Sequence, residues 1–341
     1  MVGTPRAEGF MRWFFLFVVC IGVACFPRLV APPKSGDTGQ QLDTATETGN
    51  DSDLGTGLDT QEDTALDTGP LSPSATWVGL AAGERHTCAL DSEGAVTCWG
   101  MSQVGDTEGV LVPPEGVSFR QISAGKDFTC GVTDQGELVC WGENNNQQAS
   151  PPPVGQWVAV DAGKEFACGL QAGGFQAHCW GRDNHDQTLA TSGSYTQVSA
   201  GKEHACAVRR DAEVVCWGND GQDRTAADST PAKVVSAGEK HSCLLATGGH
   251  LVCWGQDGDG QASPPEGLYK DMRVGDKFGC ATDAATALIT CWGKNEKGQT
   301  DAPGDLAFEV FDLGRKHACG ISGADVHCWG DDGEGQSSPP F

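Results

Sequence analysis

From residue 77 to residue 341 the apolar residues come in short runs broken by Gly, Asp and polar turns. The first runs are Trp77-Val78-Gly79-Leu80-Ala81-Ala82, His86-Thr87-Cys88-Ala89-Leu90 and Ala95-Val96-Thr97-Cys98-Trp99-Gly100. No amphipathic stretch of helical period lies between them, so the pattern predicts three short β-strands. The trio then recurs. Cys-Trp-Gly begins at Cys98, Cys140, Cys179, Cys216, Cys253, Cys291 and Cys328, at intervals of 37 to 42 residues. A second cysteine lies nine to eleven residues before each copy (Cys88, Cys130, Cys168, Cys206, Cys243, Cys280, Cys319), and a Gly, usually in Ala-Gly, stands five residues before that one. A fixed period in this range is the signature of a repeat architecture.

Paired, regularly spaced cysteines point to an oxidising, extracytoplasmic compartment. Zinc is the weaker reading, because the closely spaced pairs of zinc sites are absent. Fourteen cysteines allow roughly 10⁵ pairings by simple counting, and turn chemistry selects one of them. If Cys88 faces Cys98 across an antiparallel pair, the strands close through Ser92-Glu93-Gly94, with Gly where a left-handed residue is needed. The same pairing gives Asp134-Gln135-Gly136 and Thr247-Gly248-Gly249. It predicts a two-residue Gly173-Gly174 loop in the third repeat and Gly323-Ala324 in the seventh. Arg210-Asp211-Ala212 and Ala285-Thr286 lack the glycine. Each hairpin is thus expected to carry its own disulfide. Neighbouring residues on a strand face opposite ways, so disulfide and indole should lie on opposite faces. Stacked repeats would then lay each Trp against the disulfide-bearing face of the next sheet.

The N-terminal region reads differently. Met11-Arg12 followed by the apolar residues 13–24 predicts an export signal over residues 1–25, too short to span a bilayer, which needs roughly 20 apolar residues. The run ends Gly22-Val23-Ala24-Cys25, which resembles a bacterial lipobox and makes Cys25 a candidate for lipidation; the alternative is cleavage and release. Residues 26–76, rich in Asp, Thr and Gly, cannot bury enough apolar surface to offset their ordering entropy and are expected to form a disordered linker. Its Asp-Thr-Gly triplets lack the hydrophobic strands that an aspartic protease needs around them.

Charge narrows the function classes. The formal net charge is −24, and residues 77–341 carry 36 acidic and 18 basic side chains. Nucleic acid and anionic membrane surfaces are excluded as partners on that ground. The membrane is reached only through a lipid at Cys25.

The pattern Ala-Gly-x-x-His-x-Cys, then Cys-Trp-Gly-x-Asn-x-x-Gly-Gln, resembles the regulator of chromosome condensation repeat; Lys294-Asn295-Glu296-Lys297-Gly298-Gln299 after Trp292-Gly293 is the best copy. The likeness covers residues 77–341. It implies an all-β fold, a seven-bladed β-propeller with three to four short antiparallel strands per blade. The short repeats look more like those of secreted bacterial members, one of which covers the active-site mouth of β-lactamases.

Candidate chemistry is sparse. His86, His204, His241 and His317 occupy one repeat position, but Phe128, Phe166 and Phe278 occupy it elsewhere, so the site fills space. Asp257 and Asp331 open turns that lack the full set of calcium ligands. The seven repeat Trp are expected to pack between blades rather than to stack on sugars. No Gly-x-Ser-x-Gly, His-Glu-x-x-His, phosphate loop or dinucleotide fingerprint occurs. We therefore expect no catalytic residue, metal or cofactor. The reading that remains is an exported protein-binding scaffold acting as a monomer, at the cell surface or secreted, with an unidentified and basic protein partner. Its contact residues would be the variable ones after each Cys-Trp-Gly: Asn144, Asn145, Asn146, Asp183, Asn184, His185, Asp220 and Arg224. The alternatives are a carbohydrate or cell-wall binder, which would need exposed aromatics, and a hydrolase or lyase, which would need clustered carboxylates of raised pKa in the propeller channel.

Overall fold

The computed structural model describes residues 76–101 and 109–341. The export signal, Cys20, Cys25 and nearly all of the linker lie outside these residues.

Among the described residues there are seven antiparallel sheets, each of three strands in the order inner, middle, outer. In the first they are Trp77–Ala82, His86–Asp91 and Val96–Gly100. Among the described residues the polar, proline-rich connections add no fourth strand to any sheet and contribute one isolated bridge, Leu288 to Ala307. In six blades the inner strand carries a register shift after its first residue. This bulge lets Trp77 and Leu80, three apart, share one face of the sheet, and both join the same core cluster.

Each middle and outer strand pair meets cysteine to cysteine, and the bridges are Cys88–Cys98, Cys130–Cys140, Cys168–Cys179, Cys206–Cys216, Cys243–Cys253, Cys280–Cys291 and Cys319–Cys328. The expected glycines take positive φ: Gly94 (88°), Gly136 (80°), Gly249 (90°) and Gly323 (63°). Where glycine is missing, Ala212 and Ala287 adopt that conformation instead. The third and sixth hairpins differ from expectation: in the sixth, Asp283 N–H donates to Leu288 O and Ala287 N–H to Asp283 O, so its loop spans residues 284–287, and the third is alike. Gln171 N–H donates to Gln176 O and Phe175 N–H to Gln171 O, so the loop spans four residues, 172–175. Phe175 takes φ 54°, and the Arg210 guanidinium stacks on its ring at 4.3 Å.

The core is divided into seven clusters, one between each pair of neighbouring blades. Disulfide and indole do lie on opposite faces, but the indole packs on the preceding blade, not the next: Trp217 shares its cluster with Cys168 and Cys179. Each indole N–H then donates to a carbonyl in the turn of that preceding blade, as Trp217 does to Gln187 O and Trp329 to Gln299 O, both at 3.0 Å. Strand alternation separates the two faces, whereas the direction of stacking follows from the hand of the ring.

The ring closes between the seventh and first blades. Thr87 Oγ1 meets His317 Nε2 at 2.8 Å, Trp99 Nε1 donates to Gln336 O at 3.0 Å, and Trp77 stacks on Phe341 with centroids 4.4 Å apart.

Candidate functional site

The four repeat histidines are fully buried, as are the three phenylalanines at the same position. His86, His204 and His317 each place Nε2 2.8 Å from a hydroxyl of the following blade: Thr129, Ser242 and Thr87. Phe128, Phe166 and Phe278 face blades that carry Ala167, Ala205 and Ala318 at the hydroxyl's position. His241 is the exception, since the next blade carries Gly279 there. Burial, with Arg224 and His241 adding to it, pushes the His204 imidazole down to about 3; His317 falls likewise to about 3 and His241 to about 4. The His204, His241 and His317 rings are neutral packing groups at neutral pH.

The Ala-Gly loops gather at one end of the channel. A Cβ built on any of Gly83, Gly125, Gly163, Gly201, Gly238, Gly275 or Gly314 would lie within 2.6 Å of the next blade's glycine carbonyl, and the series returns from Gly314 to Gly83. Only glycine allows seven backbones to converge this closely. The residues after these glycines ring the mouth: Glu84, Lys126, Lys164, Lys202, Asp276 and Arg315, with Glu239 N–H donating to Asp276 O beside them. Around them stand the turns that follow Cys-Trp-Gly. Lys126 reaches Glu143 (3.8 Å), Lys277 reaches Asp259 (3.8 Å), and Arg182 pairs with Glu165. Mouth and turns therefore form one face. Arg315 bridges Glu84 and Asp276. The Asp276 side chain is one-third open to the mouth but walled by protein; burial and the neighbouring Glu239 and Glu84 push its carboxyl up to about 7.

The turns share a frame. A carboxylate or amide oxygen at the turn's start accepts a backbone N–H five residues on: Asn144 from Ala149, Asp183 from Thr188, Asp220 from Thr225 and Asp257 from Ala262. The Asp257 carboxylate thus serves its own turn, and among the described residues no group of His, Cys, Asp and Glu could hold a metal ion. A buried Gln closes most turns, with Gln148 Oε1 accepting from Asn146 N–H and Gln187 Oε1 from His185 N–H. Asn145, Asn184 and His185 are left at the exposed tips. Asn145 Nδ2 donates to Glu143, Asn184 Oδ1 accepts from Arg182, and His185 lies 3.9 Å from Glu203. Arg224 occupies the position of the buried Gln and is 4 % exposed; it donates to Gly221 O, Glu239 O and Asn219 Oδ1. The structure thus brings the eight candidates into three turns of one face, with Arg224 held beneath its surface.

The sequence reading missed the channel wall. The residue before the last Ala, Val or Leu of an inner strand accepts a backbone N–H from the next blade: Ser123 from Ala162, Asp161 from Ala200, Ser199 from Ala237, Ser236 from Val274 and Asp312 from Ala82. Gln121 and Gln197 do this twice over, pairing with both the N–H and the C=O of Val160 and Val235. The recurrence of Ser and Asp two residues before the mouth glycine was the available signal. Burial pushes the Asp161 and Asp271 carboxyls up and takes Asp312 to about 6, while Arg273 sits among the three. Raised carboxylates are what a hydrolase or lyase would need, but Asp161 and Asp312 are bound to backbone N–H groups. The cavity they border is about 110 Å³, well short of the roughly 300–1,000 Å³ of ordinary ligand pockets.

The Regulator of chromosome condensation (RCC1) repeat family matches residues 77–106, 119–148, 195–223 and 233–261. Four of the seven blades, the first, second, fourth and fifth, thus match the regulator of chromosome condensation repeat. No curated protein matches it. Among solved structures, this repeat protein is similar to the CRINKLY WD40 ectodomain of the Arabidopsis thaliana receptor kinase ACR4, with 23% identity over 75% of this chain and 96% of that one, TM-score 0.63. The ectodomain of the Physcomitrella patens receptor kinase CR4 gives 22% identity over 75% and 74%, TM-score 0.65. Prp20p of Saccharomyces cerevisiae gives 18% over 67% and 73%, TM-score 0.56. At these identities the likeness is one of fold.

Proposed function

We propose that this repeat protein is an exported, non-enzymatic protein-binding scaffold whose mouth face contacts a protein partner. The observation that carries the reading is the shared turn frame: in the six turns from Asn144 to Asp332 a side-chain oxygen accepts the backbone N–H five residues on, while the exposed tips differ from blade to blade. A rigid frame with variable tips is how loop-based recognition surfaces are built. The seven disulfides are compatible with an extracellular setting, as is the likeness to receptor ectodomains. Prp20p binds Gsp1p and histones, which supports a propeller of this kind serving as a protein-binding body. Cys25 is the proposed lipid anchor and residues 26–76 the tether, with a reach on the order of 40 Å as a flexible coil. The net charge of −24 favours a basic partner through encounter rate more than final affinity.

The test is capture by the oxidised protein from solubilised envelope and culture proteins, beside a glycan array and a reduced control. One enriched protein that is lost on reduction, and lost again in an N145A/N184A/H185A variant, supports the reading. Glycan capture without protein enrichment replaces it with a carbohydrate-binding one.

A further inference from the structure

The outer strand of every blade is a sheet edge, and edges invite pairing with another chain unless they are blunted, with proline one of the usual means. Six of the seven connections that run past these edges contain proline: Pro113, Pro151, Pro231, Pro264, Pro303 and Pro339 are examples, one from each. The third connection, residues 182–194, has none. At this blade the structure leaves an open groove of about 400 Å³ between the edge residues 176–179 and the returning segment 188–193.

The register says which backbone groups face the groove. Cys168 and Cys179 have Cα atoms 4.0 Å apart, the spacing of a non-hydrogen-bonded antiparallel pair. Leu170 and Ala177 lie two residues along and are of the same kind. The N–H and C=O groups of Ala177 and Cys179 therefore point away from the middle strand and toward the groove. No hydrogen bond among the described residues joins 176–179 to 188–193. The lining holds no Asp, Glu, Lys or Arg, comprising Gln176, Ala177, His178, Thr188, Leu189 and their neighbours, in a chain of net charge −24. Leu189 is 61 % exposed.

We propose that the outer edge of the third blade is a strand-addition site that takes an uncharged, proline-free, extended segment of a partner protein. Backbone pairing with Ala177 and Cys179 supplies the affinity and a small apolar residue against Leu189 the selectivity, as in other edge-binding modules. The edge offered is about four residues, or roughly 13 Å of strand. This site runs along the outer edge from the third turn, sharing Thr188 with it, and stands whether or not the mouth face binds a partner.

The probe is a random octapeptide library displayed on phage, selected on the oxidised full-length protein and on two variants. Ala177→Pro removes an outward N–H without removing a ladder bond, and Leu189→Glu puts a charge into the groove at an exposed position where folding is untouched. Enriched peptides should have uncharged, proline-free centres rich in β-branched residues, and should lose at least about tenfold in affinity on L189E, and on A177P where its seven disulfides and Tm are intact. The selected peptide should also slow hydrogen exchange at the Ala177 and Cys179 amides. No enrichment on the wild type, charged or proline-rich winners, or equal binding to wild type and L189E would overturn the proposal.

Discussion

Gly201 shows how tightly single residues are held. An alanine there would bring its Cβ against Gly238 O at the channel mouth, where backbone on both sides cannot give way. We expect Gly201→Ala to cost about 1–3 kcal/mol or more, measured by denaturant unfolding with disulfides intact, whereas Ala at the open Gly304 should cost far less. The His204–Ser242 contact predicts a coupling. H204F alone and S242A alone should each destabilise by about 1 kcal/mol. The double variant should lose less than their sum, because Phe facing Ala is the pair already used at Phe128 and Ala167; a double-mutant cycle measures this. The histidines also give a pH dependence. His204, His241 and His317 have folded values of about 3, 4 and 3, below the unfolded value near 6.5. Between these limits the unfolded chain binds protons that the folded chain refuses. Their contribution is whole above about pH 6.5 and is lost as pH falls toward 3. A Tm series over that range should fall toward acid, less so in H204F/S242A.

The blade is held by its hairpin disulfide and by the indole that reaches the preceding blade. Replacing Cys206 and Cys216 together by Ser should lower stability by about 2–4 kcal/mol, read as a Tm shift against wild type. The hairpin was legible in the sequence because cysteine spacing and turn glycines point to one register. It failed locally at 284–287, where pairing stops at Asp283 and Leu288, and at 172–175, where two adjacent glycines suggested a tight turn. The strands stop pairing at Gln171 and Gln176 instead, and Phe175 with its Arg210 stack fills the longer loop. The absence of a fourth strand among the described residues was equally hidden, since a polar, proline-rich connection reads the same whether or not it pairs.

Across the whole ring, the channel wall satisfies the inner edges with side chains, and the closing contact is Asp312 to Ala82 N–H. Its folded value of about 6 lies above the unfolded value near 3.9, so the folded chain holds a proton that the unfolded chain releases. That contribution is present below about pH 4 and is lost as pH rises through 6. Asp312→Asn keeps an oxygen for Ala82 and removes the buried charge. It should therefore leave stability at pH 8 equal or higher, and flatten the slope between pH 4 and 7 in thermal melts. The opposite result, a loss at pH 8 with an unchanged slope, would show that Arg273 compensates the charge fully.

The repeat count, the strand trio, the disulfide pairing and the register of five of the seven hairpins were legible in the chain, because each rests on contacts within about forty residues that leave a periodic trace. Strand alternation also separated indole from disulfide. Tertiary structure alone decided the rest. Which neighbour each indole meets depends on the hand of the ring, and which turns share a face depends on where seven glycines converge. That Arg224 lies beneath the mouth face while Asn184 stands on it follows from the buried glutamine site of its turn. The channel aspartates became a group only when blades distant in sequence closed around one axis, a relation between residues that no local pattern records.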